Sequence, residues 1–295
     1  MIAIPESLRW WRATTEGAAW LDRLPAAVTE LADRWALAIG EPFDGGNVSL
    51  VLRVARDNGT PAVLKVNFPE RESRHEPDAL ACWNGVGAAR LLERADDVSA
   101  LLVELLQPGT QLWSIADEDD ANWIAASVLQ MLRHDIGAGE PFSRLVDEAE
   151  RWALEIPAQW EGLGRPFEHS LVDELVSACR ELVSDETEHV LLHQDFHGGN
   201  VLRSGDGWRA IDPKPLVGDP AFDAASLLRD RRWLLREAGS ARRLRRRLDL
   251  LAEGLGLDRE RMRLWGIVHA LAWGVDETKI EPDLVECARL LATAR

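Results

Sequence analysis

One segment constrains the fold of this chain more than any other. Leu191-Leu192-His193-Gln194-Asp195-Phe196-His197-Gly198-Gly199-Asn200-Val201-Leu202 leads two apolar residues into a polar loop and a short strand out of it, and Ala210-Ile211-Asp212-Pro213-Lys214-Pro215 follows. Short apolar runs bounded by Gly, Asn and Asp read as strands. They interrupt a region whose periodicity is otherwise helical. Asp195, Asn200 and Asp212 are thereby delivered at the ends of short strands, three oxygen-bearing side chains on neighbouring turns of chain.

The spacing is the H-x-D-x-x-x-x-N of a phosphoryl-transfer catalytic loop, followed by a second aspartate in the position of a metal ligand. Phosphoryl transfer spreads negative charge over the moving group, so catalysis is positioning plus cations. An aspartate beside the acceptor hydroxyl orients it and can take its proton. Asn200 and Asp212 offer hard oxygen ligands to Mg²⁺. His193 reads as a brace for the loop. A rival reading makes His193, Asp195 and His197 a metal-hydrolase fragment. That reading needs ligands from elsewhere, and His75, His134, His169, His189 and His269 form no second cluster along the chain.

The phosphoryl-transfer reading requires a lysine on an earlier strand and a glutamate to orient it. Residues 18–36 show helical spacing. Runs at 48–54 and 62–66, separated by Asp57-Asn58-Gly59-Thr60, read as a hairpin. Residues 77–85 read as a helix, and 88–94 and 100–105 as strands. Lys65 lies in the apolar run Ala62-Val63-Leu64-Lys65-Val66 of a chain with only three lysines against 31 arginines. A compact ammonium fits between phosphates where a guanidinium does not. Glu76 is the candidate partner, at the start of the next helix because Pro77 follows it; Glu72 is the alternative. Phe43-Asp44-Gly45-Gly46-Asn47-Val48-Ser49 is the candidate phosphate-covering loop, since glycines let backbone N–H groups approach phosphate oxygens. From residue 106 onward, helices are expected over 120–136, 143–157, 168–184, 221–237, 240–254, 258–275 and 282–293.

Charge excludes some functions. With 50 acidic and 34 basic side chains the net charge is −16, the opposite of a nucleic-acid-binding footprint. It is uneven: −5 over residues 1–105, −15 over 106–228 and +4 over 229–295. The acidic middle suggests a funnel for a cation. The Arg242–Arg247 run reads as a basic helix face that pairs with acidic neighbours. No stretch reaches the roughly 18 apolar residues of a membrane helix. The N-terminus lacks a signal-peptide pattern, and Cys82, Cys179 and Cys287 lack metal-ligand spacing. A cytoplasmic protein is the expectation.

Together these residues resemble the aminoglycoside phosphotransferase family, and within it the streptomycin 6-kinase and hydroxyurea phosphotransferase branch. The resemblance rests on Val63-Leu64-Lys65-Val66, His75-Glu76, Val103-Glu104-Leu105-Leu106 with Pro108-Gly109, and the run from His193 to Asp223. It implies an α+β, two-lobed, protein-kinase-like fold. A small β-sheet lobe with one inserted helix (1–104) would bind ATP or GTP. A mainly helical lobe (105–295) would hold the acceptor. In that scheme Asp195 is the catalytic base, Asn200 and Asp212 hold Mg²⁺, and Lys65 with Glu76 holds the α/β-phosphates. Gly45, Gly46, Asn47 and Ser49 cover the nucleotide, and Glu104 to Leu106 offer backbone groups to the base. Asp219 and Asp223 are structural carboxylates. Only six residues separate Asp212 from Asp219, which leaves no room for a protein kinase's activation loop. The implied activity is ATP-dependent phosphorylation of a hydroxyl on a small cationic acceptor such as streptomycin. Asp117-Glu118-Asp119-Asp120, Asp276-Glu277 and Trp273 are acceptor-side candidates. Other readings are a kinase of a sugar or amino-alcohol metabolite, a hydroxyurea phosphotransferase, and a non-catalytic nucleotide-binding protein.

Overall fold

The computed structural model describes residues 4–137, 139–184 and 189–294. The chain divides into two compact units, 1–109 and 110–295, so the division falls just beyond the 104/105 boundary expected from sequence.

The N-terminal unit begins with a 3₁₀ segment, Glu6–Ala13, and α1 (Thr15–Arg34). Thr14 caps α1 by accepting from the Gly17 N–H at 3.1 Å; a side-chain oxygen here satisfies a donor that the helix leaves orphaned. Leu21, Leu24, Val28 and Leu31 bury one face of α1 against the sheet. That sheet comprises β1 (Leu37–Pro42), β2 (Ser49–Arg56), β3 (Pro61–Asn67), β4 (Leu91–Ala95) and β5 (Ala100–Glu104), with α2 (Glu76–Trp83) inserted after β3. The order is β1-β2-β3-β5-β4, all antiparallel. Strand β3 is therefore central. Leu64 pairs with Leu52 and Leu102, and Lys65 with Val51 and Leu101. Alternation sends Leu64 and Val66 to the core shared with α1 and turns Lys65 to the other face. Strand β1 escapes the sequence reading because it is an edge strand with only Leu37 buried, so it carries no apolar alternation.

At the division lies β6 (Pro108–Gln111). The C-terminal unit then contains α3 (Glu118–Leu132), β7 (Ser143–Arg144), α4 (Leu145–Gly162), α5 (His169–Ser184), β8 (Val190–Leu192), β9 (Val201–Ser204), β10 (Gly207–Ala210), β11 (Leu216–Gly218), α6 (Ala221–Leu228), α7 (Ser240–Leu255), α8 (Arg259–Gly274) and α9 (Pro282–Ala292). Two small sheets, β10-β9-β6 and β7-β11-β8, frame the polar loop.

Two helix expectations are corrected. Helix α4 continues through Pro157 to Gly162, where Trp160 is buried and donates to the Phe167 carbonyl at 3.1 Å. The single helix expected over 221–237 breaks after Leu228. Arg231 adopts a left-handed φ of +51°, and a 3₁₀ segment, Arg232–Arg236, follows. The buried Arg247 side chain takes the carbonyls of Leu227, Leu228 and Asp230 at 3.2, 3.2 and 2.6 Å. These are acceptors that a continuing helix would need.

Several carboxylates of the acidic middle third are paired within their own unit. Glu118 pairs with Arg243 and Arg247, Asp119 with Arg246, Glu168 with Arg289, Glu174 with Arg263, and Asp219 with Arg261. Asp117 caps α3, accepting from the N–H groups of Asp119 and Asp120. Within the 117–120 cluster, Asp117 is therefore a cap, and Glu118 and Asp119 are partners for the basic face of α7. Among the described residues no helix is long and apolar enough to cross a membrane, and the three cysteines form no disulfide.

Candidate active site

In the N-terminal unit, Lys65 Nζ donates to both Glu76 oxygens at 2.7 Å. Asn67 Nδ2 donates to Glu76 Oε2 at 2.8 Å, and Ser49 Oγ donates to Asn67 Oδ1 at 2.7 Å. All four side chains are buried. Glu76 is the first residue of α2, with His75 as its N-cap, and both of its oxygens are gripped by Lys65. Ser49 departs from expectation. It is the first residue of β2, opposite Asn67, and supports the ion pair from inside the sheet. Gly45 takes φ +96° with open space around it. A Cβ on Gly46 would meet the Ser49 carbonyl at 2.6 Å, and the Asn47 carbonyl accepts from Trp11 Nε1 at 2.9 Å. The Glu104 N–H donates to the Arg90 carbonyl at 3.0 Å, and its Oε1 accepts from the Arg90 N–H at 2.8 Å. Leu106, two residues on, is buried.

In the C-terminal unit, the β8–β9 loop is held along its length by α6. Asp223 accepts the N–H groups of His193 and Gln194, each at 2.7 Å. Ser226 Oγ donates to the Phe196 carbonyl. Arg229, which caps the end of α6, donates Nη2 to Asp195 Oδ1 at 2.9 Å. Positions 223, 226 and 229 are three apart, so they form one row on the helix. Asp219, by contrast, ties the α6 start to α8: Oδ1 accepts the Ala221 N–H, and Oδ2 accepts Arg261 and Trp265 Nε1. Sequence reasoning anticipated Asp219 and Asp223 but missed Ser226 and Arg229. The three-residue spacing after Asp223 was the available signal.

A second clamp comes from Trp113 and Asp230, also unforeseen. Asp230 accepts from the Gly198 N–H at 2.9 Å and from Trp113 Nε1 at 2.6 Å. The Trp113 ring stacks on His197 at 5.2 Å. A Cβ on Gly198 or Gly199 would lie 2.6 or 2.8 Å from Trp113, so the two glycines exist to admit the indole. Gln194 and Asp212 occupy left-handed backbone at φ +65° and +61°. Non-glycine residues there carry strain that functional loops commonly store.

The electrostatics follow from this packing. Burial pushes the Asp195 carboxyl up, but His197, Arg229, Lys214 and His193 outweigh it and hold the group at about 2. His193 Nε2 meets the Ile211 carbonyl at 3.0 Å, and burial keeps the ring neutral down to about 4. It braces the loop and is not turned to a metal. Among the described residues, no three His, Cys, Asp or Glu side chains are grouped to hold a metal ion, so the hydrolase constellation is not assembled. Asn200 Nδ2 donates to the Asp195 carbonyl at 3.0 Å, which leaves the amide oxygen as its ligand atom. Asn200 and Asp212 are joined through the Ile211 N–H, which donates to the Asn200 carbonyl at 2.9 Å. One amide oxygen and one carboxylate suit Mg²⁺, a hard cation that keeps several waters and binds substrate phosphates.

The acceptor-side candidates separate. Asp276 Oδ1 accepts from the N–H and hydroxyl of Thr278 and from the Lys279 N–H, closing an exposed turn that also carries Glu277. Asp276 is a turn former, and no hydrogen bond or ion pair joins either residue to the 193–200 loop among the described residues. Trp273 is half-buried, stacks on His269 at 4.1 Å and lies 5.7 Å from the Arg229 guanidinium.

Comparison with known proteins places the chain in a family and a fold. Residues 34–279 match the family described as aminoglycoside/hydroxyurea antibiotic resistance kinase. The chain is 37% identical to streptomycin 6-kinase of Streptomyces glaucescens, covering 99% of this chain and 97% of that protein. It is 35% identical to hydroxyurea phosphotransferase of Kitasatospora aureofaciens, covering 90% and 77%. Among solved structures, a thermostable mutant of the aminoglycoside phosphotransferase APH(4)-Ia with ADP and hygromycin B superposes with a TM-score of 0.54 at 16% identity, covering 90% and 97%. That likeness shows the fold, and the α+β kinase-like architecture expected from sequence is the one observed.

Proposed function

The chain belongs to the aminoglycoside/hydroxyurea antibiotic resistance kinase family, and from that premise we propose that it transfers the γ-phosphoryl group of ATP to a hydroxyl of streptomycin or a close aminocyclitol relative. The observation that carries the reading is the 193–200 loop, gripped by α6 so that Asp195 is fixed within a lattice of hydrogen bonds. The near full-length identity to a streptomycin 6-kinase supports the acceptor. The net charge is weaker support, because several of the middle carboxylates are already paired.

In this mechanism Lys65, oriented by Glu76, contacts the α/β-phosphates. Gly45, Gly46 and Asn47 cover the nucleotide, and the Glu104–Leu106 backbone holds its base. Asn200 and Asp212 would hold Mg²⁺, which when bound would neutralise charge on the phosphates. Asp195 receives the acceptor O–H. The new bond joins the acceptor oxygen to the γ-phosphorus as the bond to the β–γ bridging oxygen breaks, and ADP leaves. A carboxylate held at about 2 is a weak base, so Asp195 works chiefly by orienting the hydroxyl, and the proton leaves late.

The experiment is ATP turnover with Mg²⁺ and streptomycin, with the phosphorylated product identified by mass. Asp195→Asn should lower turnover about 10²–10⁴-fold. Unchanged turnover in that variant would remove Asp195 from the mechanism. Hydroxyurea is the parallel acceptor, given the identity to a hydroxyurea phosphotransferase; turnover with it alone would replace streptomycin in the assignment.

A further inference from the structure

The contact between Arg229 and Asp195 has no counterpart among the motif residues. Arg229 Nη2 lies 2.9 Å from Asp195 Oδ1. His197 Nε2 approaches the same oxygen at 3.9 Å. Both contacts fall on Oδ1, and among the described residues no hydrogen bond reaches Oδ2.

Arg229 is itself fixed. Its Nε donates to His269 Nδ1 at 3.2 Å, which places the His269 proton on Nε2, and that nitrogen donates to the Gln194 carbonyl at 3.2 Å. The guanidinium lies over Trp273, whose ring stacks on His269 with an interplanar angle of 7°. The Arg229 side chain is only 14% exposed. A closed circuit results: Asp195 side chain, Arg229, His269, and back to the backbone of Gln194, the residue next to Asp195. A planar guanidinium can bond a carboxylate on one edge and an imidazole on another; a lysine ammonium has no such fork.

We propose that Arg229 is a positioning residue for phosphoryl transfer, which engages Asp195 Oδ1 and so presents Oδ2 to the acceptor hydroxyl, with His269 and Trp273 fixing the guanidinium. The assignment rests on Asp195 being the acceptor-orienting group. It gives Trp273 a different place from the one read in the sequence: it backs Arg229 and does not receive the acceptor. It also means that Asp195 arrives charge-compensated, so it does not serve as the anchor for an acceptor cation.

The test is a double-mutant cycle on the full chain with ATP and Mg²⁺, using streptomycin as acceptor and, without it, water. Arg229→Ala should lower kcat about 10²-fold, the scale of a displaced catalytic group, and leave the KM for ATP unchanged. Methylguanidinium added to Arg229→Ala should restore turnover and should do nothing for Asp195→Asn. The variant carrying both changes should be no slower than Asp195→Asn alone, because residues acting as one unit are non-additive. Should Arg229→Ala not fold, Arg229→Lys, which keeps the charge but not the fork, carries the double-mutant comparison, with a loss of kcat and no further loss on adding Asp195→Asn expected, and the rescue arm is omitted. Wild-type turnover in the Arg229 variant, multiplicative losses in the double variant, or absence of rescue would each overturn the role of Arg229 while Asp195→Asn stays inactive. An active Asp195→Asn would instead overturn the reading on which the proposal rests.

Discussion

Both carboxylate oxygens of Glu76 lie 2.7 Å from Lys65 Nζ, in a part of the N-terminal unit where each side chain is less than a tenth exposed. Burying an ammonium is tolerated only with such a partner. Glu76→Gln keeps the shape and removes the charge. It should cost about 3–5 kcal/mol, the usual consequence of halving a buried ion pair. Urea unfolding measures the loss, and ATP binding should weaken with it. A variant as stable as the wild type would mean that Glu76 is not the charge that holds Lys65.

Gly198 should not tolerate a side chain. Its Cβ would stand 2.6 Å from Trp113 Cδ1 and 2.9 Å from Asp230 Oδ2. Gly198→Ala should lose about 1–3 kcal/mol through overpacking, and turnover should fall with it because the same loop carries Asp195 and Asn200. Gly162→Ala, at the end of α4 with open space around it, should lose nothing. Thermal melts of the two variants check the contrast.

Asp223→Asn probes the grip of α6 on the loop. The native carboxylate accepts two N–H groups. An amide offers one oxygen and one NH₂, so either His193 or Gln194 would lose its acceptor. The expected cost is about 1–3 kcal/mol, with kcat lowered more than the KM for ATP because the displaced backbone adjoins Asp195.

Acid should destabilise the protein well above the range where ordinary carboxylates titrate. Burial holds His193 neutral to about 4 and His269 to about 3, whereas unfolded histidines take up protons near 6.5. Asp223 opposes them: burial pushes it up to about 7 against its two N–H donors, so the folded state binds a proton there that the unfolded state does not. Below pH 6.5, down to 4.5, these groups hold up to about two protons in the unfolded chain and about one in the folded chain. Stability should therefore fall, by up to about 1.4 kcal/mol per pH unit. In Asp223→Asn the opposing proton is gone, and the slope should steepen. Calorimetry across this window decides it; a flat or rising melting temperature would contradict the assignment.

What could be read without coordinates is what local chemistry dictates. Strand β3 was legible because Val63, Leu64 and Val66 are apolar around a lysine, and α2 because Pro77 sets its start. The 193–212 region was legible because its polar residues stand at fixed spacings between short apolar runs. Edge strand β1 was not, since one buried residue makes no pattern. The break after Leu228 was not either, because it depends on Arg247, on a different helix, taking carbonyls that a continuing helix would have used. The same physics governs the candidate site. The spacing within one loop specifies Asp195, Asn200 and Asp212 as a set. How Asp195 is oriented depends on Arg229, and Arg229 on His269 and Trp273 of α8, groups with no fixed spacing to the loop. Hydrogen bonds between side chains distant in sequence exist only once helices have packed, so tertiary structure alone decided which oxygen of Asp195 is held.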